Sequence, residues 1–122
     1  MRNYENYALG NWIKGDGEGT SLFNAITGAE IGKASSKGLD FGEMMKYARE
    51  VGGPKLRKMT FQERGLMLKA LALHLHSVKN KFYKISAKTG ATKIDSWIDI
   101  EGGIGNLFTN ASLRRQFPAL PY

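Results

Sequence analysis

The segment from Thr60 to Gly90 constrains the fold most, because it carries the signals of one long helix. Thr60 followed by Glu63 is a capping-box pattern, and Gly90 is a natural helix stop. At about 1.5 Å per residue, the predicted helix 60–89 is roughly 43 Å long, which suggests that it lies across something larger than a small domain. Six apolar residues follow the spacing of one helical face: Met67, Leu71, Leu75, Val78, Phe82 and Ile85.

The whole sequence predicts a mainly α protein with an N-terminal β-hairpin. Residues 1–38 hold short apolar groups between glycine-rich turns such as "GDGEG" and "ITG", which is typical of short strands with at least one hairpin. Asp40 can cap a helix over 39–52 that ends at "GGP". A last helix is predicted over 93–116, followed by the exit segment "FPALPY". The 122 residues suffice for one domain with one modest core.

The composition excludes some functions and leaves others open. The chain has no cysteine, which excludes disulfides and a thiol nucleophile within it. It also has no apolar signal core or long apolar run, so we expect a cytoplasmic protein with no membrane partner. The net charge of +7 has two interpretations: a surface that binds nucleic acid or another acidic partner, or a basic surface that is simply exposed to solvent. We favour a solvated surface because the lysines are scattered, including those of the long helix: Lys79, Lys81, Lys84 and Lys88.

Three glycines lie close together in "DSWIDIEGGIGNLF". A phosphate-binding loop would need a Lys-Ser/Thr pair after the glycines, or a preceding strand with G-x-G-x-x-G spacing, and neither is present. A helix explains the segment better, even though each interior glycine costs about 1 kcal/mol relative to alanine. Its small face would let another backbone or a ligand come close, and it comprises Ile98, Gly102, Gly105, Thr109 and Ser112.

The acids and histidines of the helices do not form a catalytic pattern. Asp95 and Asp99 are one turn apart and could form an acid–base or metal-binding pair. We favour a role in complementing the helix dipole, with Glu101 free to pair with a base. His74 and His76 are two residues apart, so they point in different directions and cannot form an i, i+4 metal pair. We therefore assign no catalytic residue and no metal ligand.

Several motifs, in chain order, resemble the N-terminal segment of aldehyde dehydrogenases: Trp12, the turn from Asn24 to Glu30, Ala48-Arg49, and Glu63-Arg64 through Ala72. Within that family, "TGAT", "DSW" and "EGGIG" with the following "LF" look very like the aldehyde dehydrogenase half of the bifunctional phenylacetate ring-cleavage proteins of the PaaZ type. The resemblance covers essentially the whole chain. It implies a fragment of the α/β aldehyde dehydrogenase fold, with residues 1–122 as one partial domain at the N-terminal end of the cofactor-binding domain.

The resemblance also implies a function. Such relatives oxidise an aldehyde with NAD or NADP, and the PaaZ type acts on a semialdehyde carried on a CoA thioester that a fused hydratase-like domain supplies. Their catalytic cysteine, glutamate base and cofactor loop lie downstream of residue 122, so we expect this chain alone to be inactive and to bind no cofactor. The abrupt "FPALPY" end looks like a cut. The expected partners are therefore the remainder of its own polypeptide, further copies in a homo-oligomer and the acyl-CoA semialdehyde.

One role can be transferred by position. In the family the last helix of this segment borders the aldehyde tunnel, and aligning its end at Asn110-Ala111 places Ile98, Gly102 and Asn106 on the tunnel side. Gly102 would then widen the entrance for a bulky substrate. The competing interpretation is a small basic helical module that binds an acidic protein or nucleic acid. A small independent enzyme is a third, but no nucleophile–base pair is visible for it.

Overall fold

The computed structural model describes residues 2–117, which divide into two compact units between Lys55 and Leu56. The mainly helical character and the N-terminal strands predicted from the sequence are confirmed. The assignment of the chain to one part of a cofactor-binding domain stays a prediction.

The first unit opens with short strands. Within residues 2–117 there are five: β1 (Asn3–Tyr4), β2 (Asn6–Ala8), β3 (Asn11–Ile13), β4 (Thr20–Phe23) and β5 (Glu30–Ala34). The predicted hairpin is confirmed twice, because β2 pairs antiparallel with β3 and β4 pairs antiparallel with β5. The remaining strand, β1, lies parallel to β5. Tyr7 and Trp12 face each other across the first hairpin, with ring centroids 5.2 Å apart, and such aromatic cross-strand pairs stabilise a sheet.

The turns follow the expected chemistry. Leu9 and Gly10 join β2 to β3 with φ angles of 53° and 81°, and a tight two-residue hairpin of this kind requires positive φ at both positions. In the next hairpin, Asn24 Oδ1 accepts a hydrogen bond of 2.9 Å from the Ile26 amide. Gly28 completes that turn with a φ of 71°.

The first helix, α1 (Phe41–Tyr47), begins as predicted. The Asp40 side chain accepts a hydrogen bond of 2.9 Å from the Glu43 amide, which satisfies one of the free N–H groups at the helix start.

The predicted stop at "GGP" is wrong, because helical backbone continues through it. A π-helical turn spans Ala48–Gly52, and α2 (Gly53–Arg57) follows. Gly53 has ordinary helical angles, φ −57° and ψ −50°, and its N–H donates to the carbonyl of Ala48, five residues back. Proline is tolerated in the first turn of a helix, where its missing N–H would have no partner. Pro54 occupies that position in α2, so it starts a helix here and does not end one.

The second unit is built on a pair of helices, α3 (Phe61–Ser86) and α4 (Lys93–Ser112). The capping box of Thr60 and Glu63 is confirmed, and a second box, Thr92 with Asp95, begins α4. Gly90 has a φ of 85°, so the predicted glycine stop is also confirmed. Because only a short turn joins them, α3 and α4 run antiparallel as a helical hairpin.

Mostly small side chains form the contact between α3 and α4. The buried residues are Gly65 and Ala72 on α3, facing Ser96, Ile104 and Ala111 on α4. The apolar stripe predicted on α3 is rotated about the helix axis by roughly a third of a turn from this contact. Its members Met67, Leu71 and Ile85 are 43%, 46% and 61% exposed. The helix α4 therefore packs beside the predicted stripe and leaves much of it uncovered.

Gly65 and Gly103 provide a matched test of this packing. A Cβ at Gly65 would lie 3.0 Å from the Arg114 Cβ and 3.1 Å from the Ala111 carbonyl oxygen, whereas a Cβ at Gly103 would meet no heavy atom within 4 Å in the described part of the chain. We expect Gly103→Ala to raise the free energy of unfolding by about 1 kcal/mol through helix propensity. Gly65→Ala should lower it by about 1 kcal/mol, because overpacking outweighs the same gain. Urea unfolding of both variants measures the difference, and equal stabilisation would contradict the close contact.

Candidate functional site

The three residues predicted to border a tunnel lie together on one exposed face of α4. Ile98, Gly102 and Asn106 follow one another at four-residue steps, so they line up along the helix. Ile98 is 58% exposed, and Gly102 and Asn106 are also exposed. The buried Ile104 comes two residues after Gly102, a rotation of roughly 200° around the helix, so this face points away from α3. The structure thus brings the three residues together, and their part in a tunnel stays a prediction.

The glycines of this helix are not required by the packing of α3 against α4. The helical interpretation of "EGGIG" is confirmed, because Gly102, Gly103 and Gly105 all lie inside α4. Within the described residues, a Cβ on any of these three would meet no heavy atom within 4 Å. Since interior glycine weakens a helix, the open space must serve a contact beyond α3 or carry an unneeded cost.

A cluster of three polar side chains joins the two helices beside these glycines. The Lys79 ammonium lies 3.0 Å from Glu101 Oε2, and the Tyr83 hydroxyl donates to Glu101 Oε1 at 2.8 Å. Lys79 and Tyr83 are one turn apart on α3, so both can reach the same carboxylate on α4. The Lys79 and Glu101 side chains are each 27% exposed, which leaves the pair partly shielded from solvent.

These contacts shift the pKa values of the cluster. The hydrogen bond from Lys79 and then the one from Tyr83 lower the pKa of Glu101 below its ordinary value of 4.5, against a smaller opposing effect of burial. Burial raises the pKa of Tyr83, and its hydrogen bond to Glu101 raises it further. Glu101 is therefore a carboxylate and Tyr83 a neutral donor at neutral pH.

A groove of about 550 Å³ opens beside the cluster, between the ends of α3 and α4. Ala87 and Ala91 line it, together with Lys93, Trp97 and the cluster itself. Trp97 is 56% exposed there. The groove thus combines an aromatic surface with charged groups.

The sequence predicted this cluster only in part. That Glu101 would pair with a base is confirmed, but the assignment of Lys79 to a solvated basic surface is wrong. The spacing of Lys79 and Tyr83 was a usable signal, whereas their meeting with Glu101 depends on how α4 sits on α3. Lys81, Lys84 and Lys88 are exposed, as predicted.

The other histidines and acids considered in the sequence do not form a functional cluster in the described residues. His74 and His76 are both exposed on α3, and Asp95 caps α4 as predicted for a helix-start acid. Within residues 2–117, no three His, Asp or Glu side chains come together in a way that could hold a metal ion. None of the helices described there combines the length and apolar character that crossing a membrane requires.

Comparison with known proteins identifies the class that this chain resembles, the dehydrogenases of CoA-linked semialdehydes. The chain is 37% identical over 116 residues to the 3,4-dehydroadipyl-CoA semialdehyde dehydrogenase of Aromatoleum evansii. The match covers 94% of the chain but 22% of the relative, so the chain spans about a fifth of that protein's length. No family model matches the chain. The sequence resemblance described above is thereby confirmed.

The cluster predicts a specific dependence of stability on pH. Because the pKa of Glu101 is lower in the folded state than its ordinary value of 4.5, the stabilisation is complete above that value and is lost as the pH falls through the folded pKa. We expect Glu101→Gln to reduce stability at neutral pH and to flatten the acid side of the stability curve. Urea unfolding between pH 7 and pH 3 measures this effect.

Asp99→Asn is the matched control, because it removes an exposed carboxylate from the same helix. Part of the acid dependence should survive in Glu101→Gln, since hydrogen bonds from Thr60 also lower the pKa of Glu63. Equal flattening by Asp99→Asn and Glu101→Gln would contradict a special role of the cluster.

Proposed function

We propose that this chain is the N-terminal part of an NAD(P)-dependent aldehyde dehydrogenase that oxidises a CoA-linked semialdehyde in the degradation of phenylacetate and related aromatic compounds. The observation that carries the proposal is the match over 94% of the chain to a 3,4-dehydroadipyl-CoA semialdehyde dehydrogenase. The catalytic cysteine, the glutamate base and the cofactor loop would come from the rest of the protein, since this chain has no cysteine. The proposed partners are that remainder, further copies of the protein and the CoA-linked substrate, and not nucleic acid.

The exposed apolar residues of the second unit support a role as part of something larger. Leu66 and Leu73 on α3 are each 53% exposed, and Ile94 on α4 is 71% exposed. Large apolar patches on a protein surface usually mark a contact with another surface. A sheet of the aldehyde dehydrogenase fold, supplied by the rest of the polypeptide, is the proposed cover. A basic module that binds through its lysines would not need these apolar faces.

The proposed contribution of α4 is to shape the substrate entrance. Ile98, Gly102 and Asn106 would line the aldehyde tunnel, and Gly102 would leave room for an acyl-CoA semialdehyde. The supporting observation is the open space at Gly102, where a side chain would meet nothing within the described residues. A glycine that is unnecessary for folding but disfavoured in a helix is accounted for by a ligand that needs the space.

A chimeric enzyme tests this proposal. The chain would replace the matching segment of the Aromatoleum evansii enzyme, and nicotinamide reduction would be measured with 3,4-dehydroadipyl-CoA semialdehyde and with a short aliphatic aldehyde. We expect an active chimera. Gly102→Leu should then lower kcat/KM for the CoA-linked substrate by about tenfold or more, and that for the short aldehyde by less than about threefold, because only the bulky substrate needs the space.

Gly103→Leu is the matched control, since it makes the same change one residue away on a different face of α4. It should leave the ratio of the two kcat/KM values unchanged. A folded chimera without aldehyde oxidation would contradict the proposed function. An active chimera in which Gly102→Leu affects both aldehydes equally would contradict only the tunnel assignment.

The exposed apolar faces also predict self-association of the chain in isolation. Light scattering should show a mass that rises with protein concentration, because the uncovered faces of α3 and α4 bury each other. Leu73→Lys should reduce the association without unfolding the chain, since Leu73 is already 53% exposed. A stable monomer at all concentrations would show that the faces need no cover.

A further inference from the structure

The polar cluster between α3 and α4 holds one residue of α4 by two contacts. Both oxygens of the Glu101 carboxylate are engaged, one by Lys79 at 3.0 Å and one by Tyr83 at 2.8 Å. Two contacts to one planar group fix its position and its orientation, which a single contact does not. Lys79 and Tyr83 both belong to α3. The two contacts can therefore form together only when α4 has a particular rotation relative to α3.

The cluster lies beside the three glycines of α4. Glu101 directly precedes Gly102 and Gly103, and Gly105 follows two residues later. None of these glycines has a side chain that could pack on α3. Ile104 is the buried apolar residue of this stretch, at 5% exposure. Apolar contact is non-directional and tolerates rotation, whereas hydrogen bonds depend on angle.

We propose that Glu101, held by Lys79 and Tyr83, is a positioning residue that sets the rotation of α4 and thereby the orientation of the exposed face carrying Ile98, Gly102 and Asn106. This inference rests on the proposed function, because that face borders the substrate only if the tunnel assignment is correct. The cluster does not touch the substrate. It acts through the helix, since Glu101 and Gly102 are consecutive residues and turn together.

The first test is amide hydrogen exchange in the 122-residue chain. Glu101→Gln should accelerate exchange at Gly102, Gly103 and Gly105 by about threefold or more, beyond the change in global stability. Glutamine keeps one acceptor oxygen but loses the charge and the second acceptor, so local opening becomes easier. Tyr83→Phe, which removes one hydrogen bond and leaves Lys79 in place, should have a smaller effect in the same direction. It also keeps the test valid if Glu101→Gln does not fold.

Ser96→Ala is the matched control. It removes a different polar contact between the same helices, the bond of 2.8 Å between the hydroxyl groups of Ser86 and Ser96, which lies toward the start of α4. We expect it to lower global stability without selective acceleration at the three glycines. Equal acceleration by Ser96→Ala and Glu101→Gln would overturn the positioning role.

A double-mutant cycle in the chimeric enzyme connects the cluster to specificity. Alone, Glu101→Gln should lower kcat/KM for the CoA-linked semialdehyde by about threefold to tenfold, the equivalent of one hydrogen bond, with a smaller effect on the short aldehyde. In the Glu101→Gln background, Gly102→Leu should cost less than it does alone, because the face is already displaced.

The outcomes separate the two proposals. Gly102→Leu is selective if it lowers kcat/KM more for the CoA-linked semialdehyde than for the short aldehyde. If it is selective and its effect on kcat/KM simply multiplies with that of Glu101→Gln, the positioning role is wrong and the tunnel assignment stands. If Gly102→Leu is not selective, the tunnel assignment fails and the inference fails with it. Selective and non-multiplying effects, together with the exchange result, support both.

Discussion

The close approach of α3 and α4 through small side chains is the interaction on which the second unit depends. Gly65 and Ala72 have little or no side chain, so the backbone of α4 comes near enough for the Ala111 carbonyl to lie 3.1 Å from where a Cβ of Gly65 would stand. Dispersion contacts at such distances are individually weak but numerous. Apart from the buried Ile104, this close approach leaves little room for large side chains, and Leu71 and Leu73 of α3 are exposed.

The glycines of this helical hairpin therefore differ in whether the packing of the two helices requires them. Gly65 is required by the neighbouring helix, while Gly102, Gly103 and Gly105 border open space in the described residues. A helix with three interior glycines that its packing on α3 does not require is weak in its middle. The contacts of Glu101 with Lys79 and Tyr83 lie at the edge of that weak segment, where directional bonds can restrain it.

Local signals were predicted well from the sequence because their physics is local. The capping box of Thr60 and Glu63 and the stop at Gly90 depend on residues within a few positions of each other. The end of the first helix was predicted wrongly for an instructive reason. Glycine and proline at "GGP" predicted the end of the helix. In the structure a π-helical turn, with hydrogen bonds to the carbonyl five residues back, precedes Pro54 and allows it to lie in the first turn of α2. The sequence match to a semialdehyde dehydrogenase likewise needed only the linear order of residues.

By itself, the sequence determined where the helices of the second unit begin and that the "EGGIG" stretch is helical, because caps and periodicity are encoded by neighbouring residues. The predicted end of the last helix at residue 116 was too late, since α4 ends at Ser112. Only the tertiary structure decided which face of α3 meets α4. The six apolar residues at helical spacing marked one face of α3, yet Gly65 and Ala72 meet α4, because they allow a close backbone approach. The same docking decided that Lys79 pairs with Glu101, a contact between residues 22 positions apart whose partners are set by helix rotation, which one-dimensional spacing does not contain.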